Sequence, residues 1–182
     1  ANNSVSYNEK PSAHHFLDEW ISLAKSGTGE RGIFNRGSLV KQLPARRWKV
    51  FEKDAASSGT IPCGEIVLKS KQFCNLTEVV ARAEDTEETL LHKIKVASIL
   101  GTYQSSLTYF PYLSEEWQKN CEQERLLGVS ITGQWDCPLL NNPEIFQKLK
   151  AKAIETNRVY AKRIGINPSV AVTCVKPSGT VS

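Results

Sequence analysis

A helix start at Asn142-Pro143, with proline at the first helical position, and a stop at Gly165 set one long helix between two runs that read as strands, residues 128–132 and 170–175. The same alternation appears upstream. Residues 65–68 and 73–80 read as short extended segments. Asp85-Thr86-Glu87-Glu88 then resembles a capping signal for a helix with Leu90, Leu91, Ile94, Ala97 and Leu100 at helical spacing. Ser114 caps a further helix to about residue 127. Near the beginning, Ser12 caps a helix to about Ser26, with Phe16, Leu17, Trp20, Ile21 and Ala24 on one face and Gly27 at its end. Strands that alternate with long helices favour an α/β fold with parallel strands. No repeat and no linker divides the chain, so residues 1–182 are expected to form a single partial domain.

Residues 27–60 carry Arg31, Arg36, Lys41, Arg46, Arg47 and Lys49 and read as a basic, loop-rich, solvated surface. Aromatic interleaving is confined to Trp48 and Phe51, too little for a nucleic-acid platform. The formal net charge of +4 is mild and interspersed; it does not argue for a nucleic-acid stripe, and it fits an ordinary solvated surface at least as well as attraction of an anionic substrate. With 40% hydrophobic and 23% charged residues, the chain has the composition of a globular protein. No apolar run reaches membrane-span length, and the first ten residues lack a signal-peptide core. Five cysteines, an odd number without Cys-x-x-Cys, fit a reducing cytoplasm. His14, His15 and His92 form no zinc spacing with any of them, so no metal site is expected. The sequence lacks methionine and stops at Ser182 after a Pro-Ser-Gly-Thr turn, which suggests a piece of a larger protein.

The chemistry concentrates between Cys63 and Cys74. Pro62 biases the backbone before Cys63 towards extended or turn geometry, and Gly64 removes bulk beside the sulfur. Glu65 lies two residues on. In an extended segment both side chains would point the same way, so one substrate could meet a thiol and a carboxylate able to take a proton from a hydroxyl. Cys74 adds a second thiol that can form a reversible disulfide or join the same site. The alternative is that these cysteines are simply buried. Cys121, Cys137 and Cys174 have no partner motif and are expected to be core or solvent-facing residues. Finally Pro177, Ser178, Gly179, Thr180, Val181 and Ser182 follow a strand. Backbone N–H groups and hydroxyls at such a turn make an anion site, although no Walker A sequence is present.

Taken in order, Ile61-Pro62-Cys63-Gly64-Glu65-Ile66, Phe73-Cys74-Asn75-Leu76-Thr77-Glu78-Val79-Val80, Gly101-Thr102-Tyr103-Gln104-Ser105-Ser106-Leu107-Thr108, the run 124–133 and the run 171–182 resemble the adenosylcobalamin-dependent (class II) ribonucleotide reductases. The likeness is closest to the monomeric branch that reduces ribonucleoside triphosphates, and it makes the chain an internal fragment. It implies part of a ten-stranded α/β barrel with a central catalytic finger loop, and an enzyme that makes deoxyribonucleotides for DNA synthesis. Cys63 would become a thiyl radical, generated by cobalt–carbon homolysis, that takes the 3′ hydrogen of the ribose. Glu65 would act on the 3′ hydroxyl, and Cys74 would be one of two reducing thiols, its partner lying upstream. Pro177 to Ser182 would hold the phosphates. Expected cofactors and partners are adenosylcobalamin, a ribonucleoside triphosphate, a deoxynucleotide effector and thioredoxin or a similar dithiol, with no nucleic acid and no membrane. The fragment alone would be inactive. One departure stands out: the family has asparagine where this chain has Ile61, and isoleucine cannot donate a hydrogen bond to a ribose hydroxyl or to Glu65. The rival readings are the large subunit of a reductase whose radical comes from a metallo-subunit, and a non-catalytic nucleotide-binding module.

Overall fold

The structure is a computed structural model that describes residues 3–28 and 31–177, without the side chains of Asn3 and Arg31. The chain folds as two compact units, Ala1–Ser70 and Lys71–Ser182.

In the first unit, β1 (Asn3–Tyr7) and β2 (Arg31–Asn35) pair in parallel, joined by α1 (Ala13–Ser26). Ser12 caps α1 as the sequence predicts, accepting a hydrogen bond from the His15 amide at 3.2 Å. The apolar face of α1 is not covered within the unit: Leu17 and Trp20 are each 53% exposed. Beyond β2 the expected loop is instead largely helical. A 3₁₀ turn at Arg36–Ser38 leads into α2 (Leu39–Gln42), and α3 (Ala45–Phe51) follows, then a second 3₁₀ turn at Glu52–Ser57. Pro44 separates the two helices because it forces Leu43 into an extended conformation. The unit ends in a hairpin, β3 (Gly59–Thr60) antiparallel to β4 (Val67–Leu68), with Thr60 opposite Val67.

Two residue pairs are too few to hold a hairpin in water. Its support comes from two basic side chains, Arg47, which the sequence suggested was solvated, and Lys69. Arg47, only 3% exposed, donates from Nη2 to the Val67 carbonyl at 2.6 Å, and its guanidinium lies 4.7 Å from the ring centre of the fully buried Phe51. Lys69 is buried as well; its Nζ donates to the Val50 carbonyl at 3.0 Å and pairs with Asp54 at 3.0 Å. These buried charges persist because each is hydrogen-bonded. Replacing Arg47 with methionine keeps the packing on Phe51 but strands the Val67 carbonyl. Chemical denaturation of the whole chain should show a loss of about 2 kcal/mol.

The second unit is built on β5 (Asn75–Val80) and β6 (Leu127–Thr132), parallel partners with Asn75 opposite Leu127 and Val80 opposite Thr132. The crossover contains α4 (Glu87–Gln104) and α5 (Glu115–Glu124), and α6 (Pro143–Arg163) follows β6. Thr86 and Thr89 cap α4 reciprocally. Burial alone would raise the Asp85 carboxyl, but hydrogen bonds from Lys93, Thr89 and the Arg82 amide hold it below its ordinary value. Asn142 caps α6, with Pro143 in the first turn, as the sequence predicts. The expected helix to residue 127 stops at Glu124, because Arg125 turns left-handed and Leu127 joins the sheet. The expected strand at 170–175 runs beside β6 through one parallel bridge, Val129 to Thr173, and bonds such as Val129 N–H to the Val172 carbonyl at 2.8 Å. Its ladder is therefore shorter than expected. All six β6 residues are buried, as befits a strand covered on both faces. Leu90 and Ile94 of α4, Val129 and Ile131 of β6, and Ile145 and Leu149 of α6 form the core. The parallel α/β expectation is borne out in both units.

Candidate active site

Cys63 sits at the tip of the β3–β4 hairpin and is exposed. The backbone of Ile61 closes the tip: its N–H donates to the Ile66 carbonyl at 3.0 Å, and its carbonyl accepts from the Gly64 amide at 2.9 Å. Gly64 has φ +86°, a left-handed value that a side chain would strain, and a Cβ there would meet nothing within 4 Å. The tip is thus a turn, not the extended segment expected from the sequence. Strand alternation therefore does not put Cys63 and Glu65 on one face. A turn that sends the chain back on itself places the two residues in one tip by another route.

Their environments differ. The thiol is exposed, whereas both Glu65 carboxylate oxygens are buried with no hydrogen-bond partner among the described residues. A buried carboxylate without a donor is costly. A ligand hydroxyl placed against it would supply the missing donor, and the carboxylate could then accept that proton.

Cys74 belongs to the second unit, immediately before β5, and is half-buried. Its neighbours on both sides are fixed. The Phe73 ring stacks on Trp117 with centroids 4.6 Å apart and meets Phe110 edge-on at 5.3 Å. Asn75 donates from both its amide and its side chain to the Leu126 carbonyl, each at 3.0 Å. Gln72 donates to the buried Glu124 carboxylate at 2.7 Å. All five cysteines are thiols. Cys121 and Cys137 are buried as core residues, and burial pushes the Cys121 thiol up against an opposing hydrogen bond from the Phe73 backbone. That keeps it protonated and inert beside a segment that carries a more accessible thiol.

Near the carboxyl end of β6, Ser130 Oγ accepts from the Lys176 amide at 3.0 Å and donates to Glu78 Oε1 at 3.3 Å. Pro177 follows, exposed. The carboxyl edge of parallel strands is where α/β sheets bind ligands. The remaining residues of the expected phosphate turn, Ser178, Gly179, Thr180, Val181 and Ser182, lie outside the described residues.

No family model matches the chain. Among proteins of known function, it is 30% identical to the adenosylcobalamin-dependent ribonucleoside-triphosphate reductase of Lactobacillus acidophilus, across the full chain and 28% of that protein. The reductase of the same name from Lacticaseibacillus paracasei is 28% identical, again across the full chain and 27% of the relative. A crystal structure of a B12-dependent (class II) ribonucleotide reductase superposes with a TM-score of 0.55 at 28% identity, over 68% of this chain and 21% of that one.

The chain is homologous to class II ribonucleotide reductases.

It spans about a quarter of the length of the reductases it matches. The clamp on the hairpin was not anticipated from the sequence. Arg47 and Lys69 hold the second arm of the hairpin that carries Cys63. A signal was present, since Arg47 and Phe51 stand four apart, a spacing that stacks side chains along one helix face.

Proposed function

We propose that this chain carries the radical-bearing segment of an enzyme that reduces ribonucleoside triphosphates to deoxyribonucleoside triphosphates. Both compact units would then belong to one catalytic domain, and the hairpin would serve as its finger loop within a ten-stranded barrel. The observation that carries the reading is the hairpin tip itself, with an exposed thiol two residues from a buried carboxylate that lacks a donor. The residues present fit a large group approaching Cys63, because the thiol is accessible and the space beside Gly64 is open. When bound, adenosylcobalamin supplies the one-electron chemistry that converts the Cys63 thiol to a thiyl.

The chain's own residues do the rest. Cys63, as the thiyl, takes the 3′ hydrogen of the ribose. Glu65 accepts the 3′ hydroxyl proton as the 2′ hydroxyl leaves as water. Cys74 and a second thiol deliver two electrons and two hydrogens and end as a disulfide, and Cys63 returns a hydrogen atom to C3′. Thus one C–OH and two thiols become one C–H, one water and one disulfide. Pro177 to Ser182 would hold the triphosphate, a deoxynucleotide would act as effector, and thioredoxin or a similar dithiol would reduce the disulfide. A monomeric, cytoplasmic enzyme accords with this reading.

Glu65→Gln in the reductase that carries this segment tests the tip directly. It preserves size and removes the base, so kcat should fall by about 10²–10⁴ with KM little changed. Wild-type kcat in that variant would assign the carboxylate a purely structural role.

A further inference from the structure

In the second unit, the last extended stretch leaves the sheet at a point that side chains set. Residues 171–174 run beside β6 in parallel register. The Val129 amide donates to the Val172 carbonyl at 2.8 Å, and the Val129 carbonyl accepts from the Cys174 amide at 3.2 Å. The next rung of such a ladder would join the Lys176 amide to the Ile131 carbonyl. Instead, Lys176 donates to Ser130 Oγ at 3.0 Å, and the Ile131 carbonyl accepts from Gln134 Nε2 at 3.0 Å. Gln134 reaches back because the chain reverses at Gly133, φ +71°, so close to Ala81 that a Cβ would collide with the Ala81 carbonyl.

Ser130 is only 1% exposed and is held from its other side as well. Glu78, its register partner in β5, accepts the hydroxyl hydrogen at Oε1 across 3.3 Å. With its hydrogen directed at a carboxylate, the hydroxyl presents a lone pair to the Lys176 amide. One side chain thus takes the place of a main-chain acceptor and lifts the chain off the sheet at its carboxyl edge. Pro177 has no amide hydrogen, so Lys176 is the last main-chain donor before Ser178. We infer that Ser130 is a positioning residue for phosphate binding: its hydroxyl, oriented by Glu78, fixes where the chain departs for the turn at 177–182. This rests on the proposed reading of that turn as the cradle of the substrate triphosphate. A merely structural serine would affect ligands with and without phosphate alike.

Equilibrium binding of CTP and of cytidine to the reductase that carries this segment tests the role. Ser130→Ala removes the acceptor and should weaken CTP about fivefold, the scale of one hydrogen bond, with cytidine binding unchanged. Ser130→Thr keeps the hydroxyl and should restore CTP binding. In steady state the same loss should appear in KM and not in kcat. Gln134→Leu should weaken CTP too, because it frees the Ile131 carbonyl to draw Lys176 back onto the sheet; it decides alone if Ser130→Ala fails to fold. Equal weakening of CTP and cytidine would make Ser130 a general structural residue and overturn the inference, as would wild-type CTP affinity in folded Ser130→Ala. Gly179→Val, within the turn, separates the inference from the reading beneath it. Weaker CTP binding there, beside unaltered binding in Ser130→Ala, removes Ser130 alone. Wild-type CTP binding in Gly179→Val removes the turn itself as the phosphate site.

Discussion

Deoxynucleotide formation is expected to vanish when Cys63 becomes serine in the reductase that carries this segment. The hairpin should survive the change, because its closing main-chain contacts run between Ile61, Gly64 and Ile66. The chemistry should not survive, because a hydroxyl holds its hydrogen too tightly to exchange it with a carbon centre. The measurement is steady-state product formation alongside thermal denaturation. A folded variant that still makes deoxynucleotide would remove Cys63 from the reaction and with it the proposed function.

Cys74→Ser should separate the two halves of the reaction. In the proposed reaction the thiyl step at Cys63 would not need Cys74, so exchange of the 3′ hydrogen, read with 3′-deuterated substrate, should persist. Reduction does need it, since one remaining thiol cannot supply two electrons and close a disulfide. Multiple turnover should therefore stop whether the reductant is thioredoxin or a small dithiol. Unchanged steady-state turnover with small dithiols would show that the sulfur at position 74 is not a reducing thiol. The fold should tolerate the exchange, because the adjoining chain is held by Phe73 on Trp117 and by Asn75 on Leu126.

Much of the α/β framework was legible because it is written in local rules. Ser12, Thr86 and Asn142 announce their helices through capping chemistry that acts within a few residues. The buried run of β6 announces a central strand. What the sequence concealed depends on contacts across longer distances. The spacing of Arg47 and Phe51 hints at their stacking, but nothing local shows that Arg47 reaches the Val67 carbonyl while its neighbour Arg46 stays exposed. β1 and β2 are too short and too polar to stand out, and each is stabilised by the other. At the candidate site, the residue types at positions 63, 65 and 74 were readable, but the turn at Gly64 and the lack of a donor for Glu65 were not. A left-handed glycine and an unsatisfied carboxylate are facts of three-dimensional placement.

The hairpin that carries Cys63 owes its posture to Arg47, which grips its second arm, to Lys69, which ties the end of that arm to Val50, and to main-chain bonds at its tip. Labour is divided along a few residues of chain. Evolution could retune the reactive end, including the unusual Ile61, without dismantling the mount, and could harden the mount against heat without touching the chemistry.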